Sequence, residues 1–168
     1  IGKSQVVYQV AKTLELPVVE RRASQMTEGD LVGLPSVKGN STSFNPPDWF
    51  KFACLNPCVL FFDEVDRATL EVRQGLFELT DSRKLNGHKL HEDTVVFAAI
   101  NGGEHGSNYQ VSDMDPAELD RYSVWDLEPT VDDWLAWAND NVEPMIWNFI
   151  NQNPNHLEHK DDIEPNKV

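Results

Sequence analysis

Gly2-Lys3-Ser4 match the last three positions of the pattern G-x-x-x-x-G-K-[ST]. In that pattern backbone N–H groups wrap phosphates, the lysine reaches the outer phosphates and the hydroxyl holds Mg²⁺. The tripeptide alone recurs by chance, so its meaning depends on the residues downstream of it. Sixty positions beyond Lys3, the apolar run Cys58-Val59-Leu60-Phe61-Phe62 ends in Asp63-Glu64. An aspartate at a strand end can hold a metal-bound water, and the glutamate beside it can polarise a water that attacks a terminal phosphate. The plain alternative is a solvated turn, and either reading puts the acids at a strand's carboxyl end. A further 38 positions on, Asn101 closes a second apolar run, TVVFAAI. Its amide can orient a water at the same edge, although Asn101-Gly102-Gly103 alone reads as a turn.

These groups need elements to carry them. Val6, Val7, Val10, Ala11 and Leu14 recur at helical spacing directly after Gly2-Lys3-Ser4 and predict a helix over 4–14, stopped by Pro17. Residues 18–22 read as a strand. Residues 24–45 are rich in Gly, Ser and Asn, with 31–34 and 43–44 as brief extended pieces, and read as a loop or hairpin insertion. Pro46-Pro47-Asp48 opens a helix to about residue 55, with proline in the first turn and an acid near the positive end. The run at 58–62 is continuous rather than alternating, which marks a strand covered on both faces in a parallel α/β sheet. A helix over 68–79, a hairpin over 84–90 turning at Asn86-Gly87, a strand over 94–100, a short helix over 116–121, a third strand over 123–127 and two helices over 131–139 and 142–151 complete the pattern. From residue 153 the tail is acidic and Asn/Pro-rich and predicts loop.

The chain has 168 residues, 28 acids against 14 Lys and Arg, and a formal net charge of −14. Binding nucleic acid over a broad basic face is thereby disfavoured, while a local patch or a basic ring pore stays open. Cys54 and Cys58 are too few for a disulfide scaffold or a zinc site and read as thiols in a reducing, cytoplasmic compartment. No apolar run approaches the about 18 residues that span a bilayer. His88 with His91, and His156 with His159, each lack a third ligand nearby and read as solvated. Trp134, Trp137, Trp147 and Phe149 read as the core of a small helical unit.

GKS, LFFDEVDRA, VVFAAIN and DPAELDRYSVWDLEP, in that order, resemble the AAA+ ATPases, and within them the MoxR-like and dynein-related group. The resemblance spans about residues 2–138. It implies a P-loop NTPase fold, a three-layer αβα sandwich on a mainly parallel sheet of order 5-1-4-3-2, whose central strand precedes Ile1, and a helical lid that begins at the C-terminal end. The domains implied are a core over 1–129 and the beginning of the lid with its acidic tail over 130–168. It also implies ATP and Mg²⁺ as cofactors: Gly2, Lys3, Ser4 and Asp63 bind nucleotide, with Ser4 and Asp63 on the metal. Glu64 is the implied base, Asn101 the water-orienting amide, and Arg121 the arginine that reaches a neighbouring subunit's phosphate, with Arg67 as the second candidate at that interface. The stretch 30–49 and the hairpin over 84–90 match insertions near the pore of such rings. The expectation is an ATPase that works as a homo-oligomeric ring, a hexamer, and remodels a protein client. A nucleotide-gated scaffold and a DNA-processing ATPase are the alternatives. A parent longer at both ends is expected, with the lid's sensing arginine beyond residue 168.

Overall fold

The structure, a computed structural model, describes residues 2–101, 116–128 and 130–157. Its contacts divide the chain into two units, Gly2–Trp125 and a second that begins at Asp126. The first unit is built on strand β4 (Val59–Asp63), the continuous apolar run of the sequence. Parallel partners flank it, β1 (Val18–Arg22) on one side and β7 (Val95–Ala98) on the other, giving the order β1-β4-β7. The register pairs Arg22 with Asp63 and Phe62 with Ala98, so all three strands deliver their carboxyl ends to one edge.

β4 is buried on both faces because helices cover both. Leu60 and Phe62 pack into a cluster with Trp49, Phe50, Val72 and Leu76, contributed by α3 (Asp48–Leu55) and α4 (Leu70–Ser82). Val59 and Phe61 meet Val7 and Ala11 of α1 (Lys3–Thr13) on the other face. The result is the α/β, three-layer P-loop arrangement, with the three strands in the relative order 2-3-4 that the resemblance implies.

Two hairpins project from this frame. β2 (Leu34–Lys38) pairs antiparallel with β3 (Ser41–Asn45), and β5 (Lys84–Leu85) with β6 (His88–Lys89). The second turns at Asn86 and Gly87, whose φ angles of 48° and 80° suit the Asn-Gly two-residue turn. The extended reading of 31–34 is corrected: Leu31 and Val32 lie in a short helix, α2 (Glu28–Val32). Thr27 and Asp30 form a reciprocal capping box there, which satisfies N–H groups at the helix start. Leu31, fully buried, then fills the space above Gly75 of α4, where a Cβ would come within 2.3 Å of its side chain.

The strand expected over 123–127 does not form. A strand needs a neighbour to pair with, and among the described residues none pairs with 123–127. Residues 116–119 form the short helix α5 (Pro116–Leu119). The second unit carries α6 (Val131–Asn141) and α7 (Pro144–Gln152). Trp147 Nε1 donates to Leu135 O at 2.9 Å, Trp134 and Trp137 lie 6.5 Å apart, and Ala138 and Ile150 are buried. Trp137 and Phe149 stay about half exposed, so these aromatics are only partly a core. Pro154–His156 make a 3₁₀ turn where loop is expected, with His156 edge-on to Phe149. His159, Gly102, Gly103 and the tail acids beyond residue 157 lie outside the described residues.

Candidate nucleotide site

The sheet edge defined by Arg22, Asp63 and Ala98 faces the start of α1. Gly2 enters that helix with φ 87° and ψ −9°, and its carbonyl accepts from Val6 N–H at 3.1 Å. Among the described residues no side chain caps the first turn, and no acid lies in it. An α1 start left in this state presents backbone donors and the positive end of the helix dipole, which suits a phosphate.

Lys3 and Asn101, 98 positions apart, meet here: Lys3 Nζ donates to Asn101 Oδ1 at 2.5 Å. Asn101 is in turn fixed through its backbone, whose N–H donates to Asp66 Oδ2 at 2.8 Å. Asp63 is half-buried at the end of β4, and its Oδ1 accepts from Glu64 N–H at 2.9 Å. Glu64 has left-handed backbone, φ 56° and ψ 42°. A non-glycine residue held there costs on the order of 1–3 kcal/mol, a strain that clusters at functional sites. The twist turns the chain sharply out of β4 into the 3₁₀ turn Val65–Arg67. Glu64 Oε2 accepts from Ser24 Oγ at 2.5 Å, and its Oε1 lies 3.8 Å from Arg67 Nη1.

Lys3, Asp63, Glu64 and Asn101 thus come from three elements that end at one edge, and Ser4 comes directly after Lys3 in the first turn of α1. Arg121 is placed elsewhere, on α4: its Nε lies 3.6 Å from Asp81 Oδ1 and its guanidinium 4.2 Å above the Phe77 ring. Among the described residues, no group of three or more His, Cys, Asp and Glu is set to hold a metal on its own. Ser4 and Asp63 would supply two hard oxygens, a donor set that fits Mg²⁺, which keeps phosphate and water ligands alongside one or two protein groups. His91 instead accepts at Nδ1 from Asp93 N–H at 3.2 Å, and exposed His88 lies edge-on to Phe50. Burial pushes both cysteine thiols up, and both are free.

Two residues at this site escape the sequence reading, Ser24 and Asp66. Ser24 is 40 positions from Glu64, in a polar stretch that folds as the 3₁₀ turn Ala23–Gln25, and the parallel pairing of β1 with β4 brings them together. Asp66 had a visible signal, a third acid three positions after Asp63 in the same run.

A three-layer α/β frame with a Gly-Lys-Ser helix start, strand-end acids and an asparagine just past the next strand defines a P-loop nucleotide-binding module. The family model for the AAA domain, dynein-related subfamily, matches residues 1–122, and the chain belongs to that family. Nucleotide binding and ATPase chemistry are the family's general properties. No curated protein matches the chain. A full-length MCM homolog from Methanopyrus kandleri is among the similar solved structures, at 19% identity and a TM-score of 0.46. The alignment covers 71% of this chain and 26% of that one, so the chain spans about a quarter of the archaeal protein. No helix among the described residues is long and apolar enough to cross a membrane.

Proposed function

We propose that this chain is the ATP-hydrolysing part of a MoxR-like AAA+ protein that works as a homo-oligomeric ring, a hexamer, and uses turnover to remodel or assemble a protein client. The observation that carries the reading is the Lys3–Asn101 bond, which joins the phosphate-loop lysine to the amide just past β7. In this reading bound ATP supplies the phosphoanhydride and Mg²⁺ offsets its charge. Lys3 and the start of α1 grip the phosphates, and Ser4 and Asp63 hold the metal. Glu64 takes the proton of the attacking water, and Asn101 orients that water.

Ser24 supports a resting state in which Glu64 is held away from that task until the hydroxyl lets go. Arg121 keeps over a third of its side chain exposed on Phe77 and Asp81, which suits a cation offered to a neighbouring subunit. Residues 1–129 form the core in this reading, and 130–168 begin the lid. The two hairpins are the insertions presented to the pore.

Glu64→Gln in the intact protein is the test. Loss of a positioned base costs about 10²–10⁴-fold, so steady-state turnover should fall at least about 100-fold while ATP stays bound. Turnover at the wild-type rate in E64Q overturns the assignment.

A further inference from the structure

We infer that Asp66 is a positioning residue for the proposed reaction: its buried carboxylate receives the Asn101 backbone N–H and so sets the amide that faces Lys3. The inference rests on the ATPase reading of the site. The β4–β7 ladder runs past the strands themselves, with Ala99 N–H donating to Phe62 O at 2.8 Å and Val65 N–H to Ala99 O at 3.1 Å. At the next step the chain has left β4 for the turn after Glu64, and among the described residues no backbone carbonyl takes the Asn101 N–H. The Asp66 carboxylate does so at 2.8 Å, in place of a backbone rung.

That choice is costly. Asp66 is 1% exposed and its other oxygen, Oδ1, meets no donor among the described residues. A buried carboxylate oxygen without a partner forfeits its hydration, and such groups call for a reason beyond packing. An apolar side chain would fill the same volume without that cost, but it would leave the Asn101 N–H unpaired and its side chain free to turn from Lys3. The left-handed Glu64 sits two residues earlier, so one short turn aims the acid pair outward and anchors Asn101 inward. Among the described residues no hydrogen bond or ion pair joins Asp66 to Lys3, Asp63 or Glu64. It acts through Asn101.

The experiment compares Asp66→Ala and Asp66→Asn in the intact protein, by steady-state ATP turnover and by hydrogen exchange of the Asn101 amide. Asparagine keeps an acceptor oxygen for that N–H, and alanine does not. In D66A, kcat should fall at least about tenfold, as loss of a hydrogen bond to a charged group implies, with KM within threefold of wild type. D66N should return kcat to within threefold. Wild-type kcat in D66A, a loss confined to KM, or D66N no better than D66A overturns the inference. Exchange tests the contact without turnover: the wild-type Asn101 amide should be protected like that of Ala99, and an amide as open as a loop's overturns the inference even if D66A does not fold. A wild-type protein that binds but does not hydrolyse ATP defeats the functional reading instead, and the Asn101 exchange still decides whether Asp66 holds that amide.

Discussion

β4 and the β2–β3 hairpin are built from strands of the same length, yet they are stabilised in opposite ways. Val59 to Phe62 of β4 are at most 2% exposed, with helices against both faces. In the hairpin every residue of β3 is exposed, and Leu34 and Val37 of β2 are 70% and 74% exposed. Backbone pairing is complete in both, from Leu34↔Asn45 to Lys38↔Ser41 in the hairpin. Pairing therefore does not depend on burial here. β4 is placed by its side chains, and the hairpin is placed by its root alone.

The largest effect should come from removing a β4 side chain. Phe61→Ala should lower stability by about 3–5 kcal/mol through lost burial and the cavity left between α1 and the sheet. Val37→Ala should stay within about 0.5 kcal/mol, as surface substitutions do. Denaturant midpoints at unchanged slope measure both, and similar losses would erase the contrast between the two regions.

Gly33 sharpens the contrast, because it fixes the hairpin's root. Its φ of 87° with ψ −175° is a backbone conformation that side chains other than glycine rarely adopt, and a Cβ would come 2.0 Å from Asn45 O. The blocking atom is backbone and cannot rotate aside. Gly33→Ala should cost on the order of 1–3 kcal/mol, and the loss should be local: amides of β2 and β3 exchange faster while those of β4 keep their protection. Faster exchange in β4 as well would show that the hairpin's root belongs to the core.

The same division explains what the sequence disclosed. β4 was legible because burial on two faces writes a continuous apolar run, and α1 and α4 because one buried face writes a helical period. The Asn86-Gly87 turn was legible from its local chemistry. Lys3, Asp63, Glu64 and Asn101 could be placed at one edge because each lies at the end or start of such a run. Ser24 could not, since its bond to Glu64 depends on which strand lies beside β4, and neither residue's neighbours encode that. Leu31 and Val32 misled for a related reason: α2 has five residues, too few for a helical period, and Gly29 and Gly33 suggest a loop. Its signal was the spacing Thr27-x-x-Asp30, which a reading by hydrophobicity passes over. Ser123 to Leu127 failed in the other direction: the pattern reads as a strand, yet it pairs with no strand among the described residues.

A smaller effect than that of Gly33 concerns α2, where the exposed hairpin joins the core. The Asp30 carboxyl lies below its usual range, first because the Thr27 hydroxyl donates to it at 2.7 Å and second because the Thr27 backbone N–H does so at 2.9 Å. A lowered folded pKa stabilises the fold at pH above the ordinary value of 3.8, and that contribution is lost as pH falls through the folded value. Thr27→Ala removes the leading cause and the hydroxyl that caps Asp30 N–H, so near neutral pH it should cost about 1 kcal/mol or less, the capping bond being exposed to water. The gap between wild type and variant should narrow as pH falls from 3.8 through the lowered folded value, as the wild-type carboxyl takes up its proton and loses its advantage. Carboxyl titration by NMR should show Asp30 moving back toward 3.8 in the variant. An unchanged Asp30 titration, or a gap that widens in acid, would mean that α2 is held by Leu31 against α4 and that its cap contributes nothing.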